Sequence, residues 1–388
     1  MFKNLSVNRR RFLYISLSGL AGATAIIVGK DKLIMSHSQA VDNRNRDFRV
    51  AGLAPLKKRA AAKGLIYGAA SMQDFLLSDK NLETNFVREC GILVPENELK
   101  WDALRPSPDK FDFAKSDWLA QFAQRNGMLF RGHTLVWHQQ LPQWFKEVVN
   151  PQNAEKFLVE HITTVTKRYA GQIRAWDVVN EAIEPNDELP GGWRRSPWLE
   201  HLGPNYIELA YQVAAGVDSK AMLVYNENDL EYDIPHQEAK RTLVLKLLER
   251  LKSKGTPIHA LGIQSHLRGG ETRFNANKFR KFLNDVASLG LKILVTELDV
   301  GDRNLPADLA RRDRIVAACY EDYLSTVLDE RAVIEVLTWG LTDKYTWYSQ
   351  FLPRSDGKPV RPLLLDSNLK RKLAWNAIAK AFDRAPKR

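Results

Sequence analysis

The chain has 388 residues, 27% charged and 44% hydrophobic, ordinary globular proportions that exclude a disordered, collagen-like or coiled-coil protein. Its formal charge is +11, but residues 1–40 carry six basic and one acidic side chain, so the remaining 348 residues hold only 11 − 5 = +6. That body has no cluster of Lys and Arg interleaved with aromatics, which argues against a nucleic-acid partner.

The N-terminus comes first in chain order. Asn8-Arg9-Arg10-Arg11-Phe12-Leu13 precedes an apolar run from Leu13 to Val28, and Lys30 and Lys32 follow. A charged start and a sixteen-residue apolar core read as an export signal. The core is short of the roughly 20 residues that a membrane span needs, although an uncleaved anchor is the alternative. Ser38-Gln39-Ala40 offers the small residues a signal peptidase reads. The Arg-Arg-x-Phe-Leu order resembles a twin-arginine signal. It implies a bacterial precursor handled by the twin-arginine export machinery and a mature protein that is periplasmic or secreted, with no membrane association. Residues 41–60 read as a polar, basic linker, and 61–388 as the folded domain. Cys90 and Cys319 cannot build a disulfide framework and read as buried small hydrophobes in helix-like stretches. Without Cys-x-x-Cys there is no thiolate zinc site.

From Leu65 onward, short β-branched runs alternate with amphipathic stretches. The expected strands are 65–69, 92–95, 129–134, 173–180, 221–225, 260–265, 292–298 and 334–339. Expected helices between them include 154–169, 206–216, 237–254, 278–289 and 306–328. Eight strands each followed by a helix predict one parallel sheet, closed as a single (β/α)8 TIM barrel of the α/β class. An open doubly wound sheet is the alternative, but the turn Gly68-Ala69-Ala70-Ser71 lacks the dinucleotide fingerprint.

In such a barrel, chemistry gathers where strands end at the C-terminal face. Seven of the eight expected strands end in polar clusters: Glu96-Asn97-Glu98-Leu99-Lys100-Trp101; His133 through His138; Asp177-Val178-Val179-Asn180-Glu181; Tyr225-Asn226-Glu227-Asn228; Gln264-Ser265-His266; Glu297-Leu298-Asp299; and Trp339 through Asp343. Residues two apart share a strand face. That period puts Asp177, Val179 and Glu181 on one side of the fourth strand, Val295, Glu297 and Asp299 on one side of the seventh, and Gly262, Gln264 and His266 on one side of the sixth. Glu181 and Glu297 would then face each other across the mouth, the arrangement of two-carboxylate glycoside hydrolysis. Trp101, Trp137, Trp193, Trp198, Trp339 and Trp347 lie in or beside these loops, where indole faces can stack on sugar C–H faces; Trp176 and Trp375 read as core.

The motifs PENELKW, RGHTLVWHQQLP, WDVVNE, GIQSH and TELDV, in this order, look like a family 10 glycoside hydrolase, the endo-1,4-β-xylanases. The resemblance runs from about Ile66 to near Phe382. It implies retaining cleavage of β-1,4-xylan or xylo-oligosaccharides, with Glu181 as general acid/base and Glu297 as the nucleophile. By the same resemblance Asn180 would bond the sugar 2-hydroxyl, His266 would hold Glu297 ionised with support from Asp299, and Gln264 would help set the protonation of Glu181. Glu96, Asn97, Lys100, His133 and Trp137, with Gln140 nearby, would form the glycone subsites, and Trp339 and Trp347 would close over the sugar. RPLLLD, Arg361–Asp366, also resembles a family segment. One departure concerns the fifth strand. Asn228 stands where the family usually has a second tyrosine, which puts leaving-group-side binding in doubt. No cofactor or catalytic metal is expected.

The mechanism requires one carboxyl protonated and its mate ionised. Repulsion between two nearby carboxylates raises one pKa, and His266 would keep Glu297 charged, leaving Glu181 as the acid. Retention predicts the carboxyls about 5–5.5 Å apart. The rival readings are a retaining β-1,4-glucanase or cellulase, and a non-catalytic sugar-binding barrel. A metallohydrolase is disfavoured by the spacing of His133 and His138, which on a strand point to opposite faces. A serine hydrolase is disfavoured because no Gly-x-Ser-x-Gly elbow is present.

Overall fold

A computed structural model of the protein describes residues 42–388; the expected signal, 1–40, lies outside them. Among the described residues nine strands form in chain order: β1 Ile66–Ser71, β2 Ile92–Pro95, β3 Leu129–Gly132, β4 Ile173–Asn180, β5 Met222–Glu227, β6 Ala260–Ile263, β7 His266–Arg268, β8 Lys292–Gly301 and β9 Val333–Thr338. Eight pair in parallel as a closed ring, with β6 joining β8 and β9 returning to β1. This is a (β/α)8 barrel. The short β7 pairs with the outer end of β8, His266 against Asp299. Residues 260–265 were expected as one strand, but the ladder stops at Ile263 because Ser265 takes a left-handed φ of 64°, which breaks extended pairing.

The strands are buried on both faces, as a helix-covered parallel sheet requires. β8 is buried along eight consecutive residues from Ile293 to Val300. The covering helices follow the expected amphipathic spacing. Ala276–Ser288 buries Phe279, Phe282, Leu283 and Val286, and the Asn275 side chain caps its start. Leu309–Val327 is capped by Asp308. Close approach inside the barrel wall demands glycine at Gly132, where a Cβ would lie 2.0 Å from the Trp176 ring.

A buried ion cluster crosses the barrel interior. Arg131 on β3 pairs with Asp177 on β4 and, at 3.3 Å, with Glu335 on β9; none of the three exceeds 1% exposure. Asp177 also holds the His133 Nδ1 at 2.9 Å, so the ion cluster runs directly into the floor of the mouth.

The stretch read as a linker carries contacts of its own. Asp42 pairs with Arg311 and Arg314, both at 2.9 Å, Arg46 with Glu321 at 2.6 Å, and Phe48 is buried. A helix, Leu56–Ala61, then packs on the last helix, Leu373–Arg384. The polarity that suggested a linker is spent on ion pairs with the barrel's outer helices. Among the described residues no helix is long and apolar enough to cross a membrane.

Candidate active site

The two glutamates reach the mouth by a route that simple alternation does not describe. In β4 the register against β5 shifts between Asp177 and Val179, and in β8 the register against β9 shifts between Val295 and Leu298. Val179 and Val295, expected on the faces of Glu181 and Glu297, instead join the apolar cluster shared with the covering helices. The irregularities let consecutive residues, Asn180 with Glu181 and Thr296 with Glu297, all contribute polar groups to one network. Bulges re-aim side chains in this way. Glu181 itself sits at φ 57°, its N–H donating to the Asn226 carbonyl at 2.9 Å. The positive φ is a strained conformation for a non-glycine residue, of the kind that marks functional sites.

A chain of amides joins the two carboxylates. Gln264 Nε2 donates to Glu181 Oε1 at 2.8 Å and to Asn180 Oδ1 at 3.3 Å. Asn226 Nδ2 donates to that same Asn180 oxygen at 2.8 Å and to Glu297 Oε1 at 2.7 Å. Thr296 Oγ1 donates to Asn226 Oδ1 at 2.7 Å, which fixes the direction of that amide. Asn226 was not among the expected site residues. The strand-five cluster contained it, but nothing in the motif distinguished it from its neighbours.

The surroundings of the pair differ. Glu297 Oε2 lies 3.3 Å from His266 Nε2, and His266 Nδ1 lies 3.0 Å from Asp299. Asp299 in turn accepts from Trp347 Nε1 at 2.9 Å and from the Tyr348 hydroxyl at 3.1 Å. Burial alone would discharge His266, but the Asp299 charge dominates and holds the imidazole well above its ordinary pKa, protonated. Burial pushes the Glu297 carboxyl up; the bond from His266, the nearby histidine charges and the Asn226 donor outweigh it and keep Glu297 below the usual range.

Glu181 departs from expectation. Repulsion within the pair was expected to raise it, yet it is held down to about 2: burial pushes up, and the Arg194 charge, His138 and the Gln264 bond pull down more strongly. Arg194 lies outside every quoted motif. It sits on the loop after β4, with its Nε donating to the Glu181 carbonyl at 2.7 Å. His138, with Nδ1 4.0 Å from Glu181 Oε2, is pushed by burial to about 4. It is therefore neutral at neutral pH, and there its pull on Glu181 lapses while that of Arg194 persists. The His138 Nδ1 is buried without a hydrogen-bond partner among the described residues.

The remaining expected residues converge on one side of this pair. Lys100 Nζ stands 5.0 Å above the Trp137 ring and 5.9 Å from Trp339, and bonds Asn97 Oδ1 at 3.2 Å. Gln140 Nε2 reaches that oxygen at 3.3 Å. The His133 ring meets Trp339 edge-on at 5.3 Å. Glu96 is pushed up to about 7 by burial, against the Lys100 charge. Three of the loop tryptophans do not join the mouth. Trp101 stacks on His161 at 3.7 Å and packs against Trp198, both indoles buried in the helix layer, while Trp193 lies under Arg250. Each is held by apolar neighbours that its place in a loop did not reveal.

The sequence profile of glycosyl hydrolase family 10 matches residues 55–381. The chain belongs to glycosyl hydrolase family 10. A β-1,4-xylanase of Dictyoglomus thermophilum is 37% identical over 303 residues, covering 74% of this chain and 81% of that protein. The native xylanase 10B of Thermotoga maritima superposes with a TM-score of 0.78 at 33% identity, covering 85% of this chain and 98% of that one. A Thermotoga petrophila xylanase 10B solved with xylobiose gives 0.77 at 32% identity, covering 87% and 99%. The family's two-carboxylate chemistry needs one ionised carboxylate held by donors and a second carboxyl within reach of the leaving oxygen. The network above joins Glu297 to Glu181 through Asn226, Asn180 and Gln264.

Proposed function

We propose that the protein is a retaining endo-1,4-β-xylanase in which Glu297 attacks the anomeric carbon and Glu181 is acid, then base. The observation that carries the assignment is the asymmetry of the pair: Glu297 is locked to a protonated His266 and to the Asn226 donor, whereas the Glu181 carboxylate takes the neutral amides of Gln264 at 2.8 Å and Asn180 at 3.3 Å, with Arg194 bonded to its main-chain carbonyl. Xylan lying in the cleft strips water from Glu181 and adds to the burial that already pushes its carboxyl up. The proton that the leaving alcohol needs is thus taken on with substrate in place. Once the glycosyl–Glu297 ester forms, the negative charge on Glu297 is gone, the proton affinity of Glu181 falls, and it draws a proton from the incoming water. Asn180 bonds the sugar 2-hydroxyl. Glu96, Asn97, Lys100, His133, Trp137 and Gln140 hold the glycone sugars, and Trp339 and Trp347 cover them.

The test is a pair of variants. Glu181→Ala keeps cleavage of aryl xylobiosides with very good leaving groups, whereas Glu297→Ala loses all turnover, and NMR finds the β-anomer first. The reversed pattern, or the α-anomer first, overturns the roles. Rates on xylan against soluble cellulose separate xylanase from glucanase, and absence of reducing sugar from both would leave only a binding barrel. We further propose that residues 1–40 are a twin-arginine-type signal cut after Ala40, 41–60 the linker that follows it, and 61–388 the catalytic barrel. The mature enzyme would then be exported to the periplasm or medium. N-terminal sequencing of exported protein checks the cut.

A further inference from the structure

The loop that follows Glu181 folds back on itself. Glu184 N–H donates to the Gly192 carbonyl at 2.9 Å, Ile183 bridges to Trp193, and the Arg194 N–H donates to the Ala182 carbonyl at 2.8 Å. The returning strand of the loop thus delivers the Arg194 side chain beneath the bend at Glu181. There its guanidinium makes two bonds, to the Glu181 carbonyl at 2.7 Å and to Glu184 Oε2 at 3.3 Å. The left-handed bend that presents the Glu181 carboxyl therefore has a charged clamp on its carbonyl.

The other charges near Glu181 are engaged elsewhere. Lys240, on the helix Pro235–Ser253, is buried and paired with Glu227 of β5 at 3.0 Å. Glu184 is shared with His236 at 2.7 Å. Across the mouth, Glu297 is taken by His266, and Lys100 stands over the Trp137 ring. His138 at the end of the third loop is neutral above about pH 4. Among the described residues Arg194 is the cation that both acts on the Glu181 carboxyl and bonds its main chain.

Resting on the assignment of Glu181 as acid/base, we propose that Arg194 is a positioning residue for it: the guanidinium fixes the bend that presents the carboxyl and supplies the positive charge against which the carboxyl ionises. Its chemical effect is a division of labour between the two steps. A cation beside Glu181 lowers the fraction that carries a proton for the first step and raises the fraction that is ionised to accept the proton of water in the second.

The experiment is the pH dependence of kcat on saturating xylopentaose for the full mature chain, in wild type, Arg194→Met and Arg194→Lys. The base limb of kcat reports loss of the Glu181 proton in the enzyme–substrate complex, where the bound sugar has pushed its carboxyl up. Removing an opposite charge raises a carboxyl's pKa by roughly one unit or more, so the limb moves to higher pH by that amount in R194M and stays in place in R194K, which keeps the charge. On an aryl xylobioside with an activated leaving group, where breakdown of the glycosyl-enzyme limits the rate, the acid limb of kcat reports Glu181 as base, and R194M moves that limb to higher pH. A structural defect alone would scale the rates down at every pH without moving the limb. Should R194M fail to fold, Glu184→Gln frees Arg194 from its carboxylate and moves the limb to lower pH. An unmoved limb in R194M, an equal shift in R194K, or an alkaline or absent shift in E184Q overturns the inference. A base limb that survives in Glu181→Ala overturns instead the assignment on which it rests.

Discussion

Asn226 is the residue on which the two halves of the site hang, and replacing it with alanine tests the network. The side chain is fully buried. Its Nδ2 donates to Glu297 and to Asn180, and its Oδ1 accepts from Thr296. A hydrogen bond to a charged group contributes about 1.5–3 kcal/mol. With Glu297 as the proposed nucleophile, which attacks in its ionised form, losing the bond to it lowers kcat/KM on the order of 10- to 150-fold. The sign of the pH effect follows from the same bond. Asn226 stabilises the ionised form, so Asn226→Ala raises the Glu297 pKa, and the acid limb of kcat/KM moves to higher pH. Asn226→Asp is the sharper variant. It keeps the shape, replaces the donor with an acceptor and sets a second negative charge against Glu297, so its loss and its limb shift exceed those of alanine. The assay is kcat/KM on xylo-oligosaccharide from pH 4 to 9, with urea unfolding to separate stability from activity. An acid limb unmoved in both variants, or an aspartate variant more active than the alanine one, would refute the argument.

Other perturbations probe neighbouring parts of the structure. Asp299→Asn removes the main charge that keeps His266 protonated; the imidazole then titrates lower, Glu297 loses its partner's charge, and the acid limb of kcat/KM again moves to higher pH, while an unshifted profile would deny the triad. Gly262→Ala places a Cβ 2.4 Å from Asn226 Oδ1 and 3.0 Å from Thr296 Cγ2; displacing that amide costs about tenfold in kcat/KM by the same charged-bond figure, and wild-type kinetics would show the amide free to move. Arg131→Met leaves Asp177 and Glu335 buried without their shared cation, a loss of about 3–5 kcal/mol in unfolding free energy, read from the urea midpoint at constant slope; a change under 1 kcal/mol would mean the interior cluster is not an ion pair in solution.

Much of this architecture is legible in the sequence because a barrel writes its period plainly: β-branched runs mark walls buried on both faces, and polar clusters mark where each run meets solvent at the mouth. Glu181, Glu297, Gln264 and His266 emerge from those clusters. What stayed hidden has physical reasons. Arg194 reaches the site through a loop whose fold is set by hydrogen bonds among 182, 184, 192 and 194, and no local pattern announces a contact of that kind. Trp101 and Trp198 resemble subsite aromatics in sequence, but each spends its indole N–H on a carbonyl, that of Leu135 and of Trp137 respectively, and packs among helices. Residues 41–60 read as a linker because they are polar and basic, yet Asp42 and Arg46 find partners more than 250 positions later in the chain.

The clearest failure of sequence reasoning, the side-chain alternation near the two glutamates, is also the most instructive about how the site is built. In a regular strand, neighbouring residues face opposite ways; a regular β4 could offer the mouth Asn180 or Glu181, and a regular β8 could offer Thr296 or Glu297, never both members of either pair. The register shifts in β4 and β8 remove that choice. Each carboxylate is thereby delivered with its own adjacent polar residue, and it is those neighbours that complete the chain between the carboxylates: Asn180 receives Gln264 and Asn226, and Thr296 orients Asn226. The irregularities are thus what place four groups where alternation allows two, and the wall that tolerates them is held from below by Arg131 bridging β3, β4 and β9. Stability of the interior ion cluster and geometry of the carboxylate pair are linked through the same strand, β4, whose Asp177 serves the first and whose end carries the second.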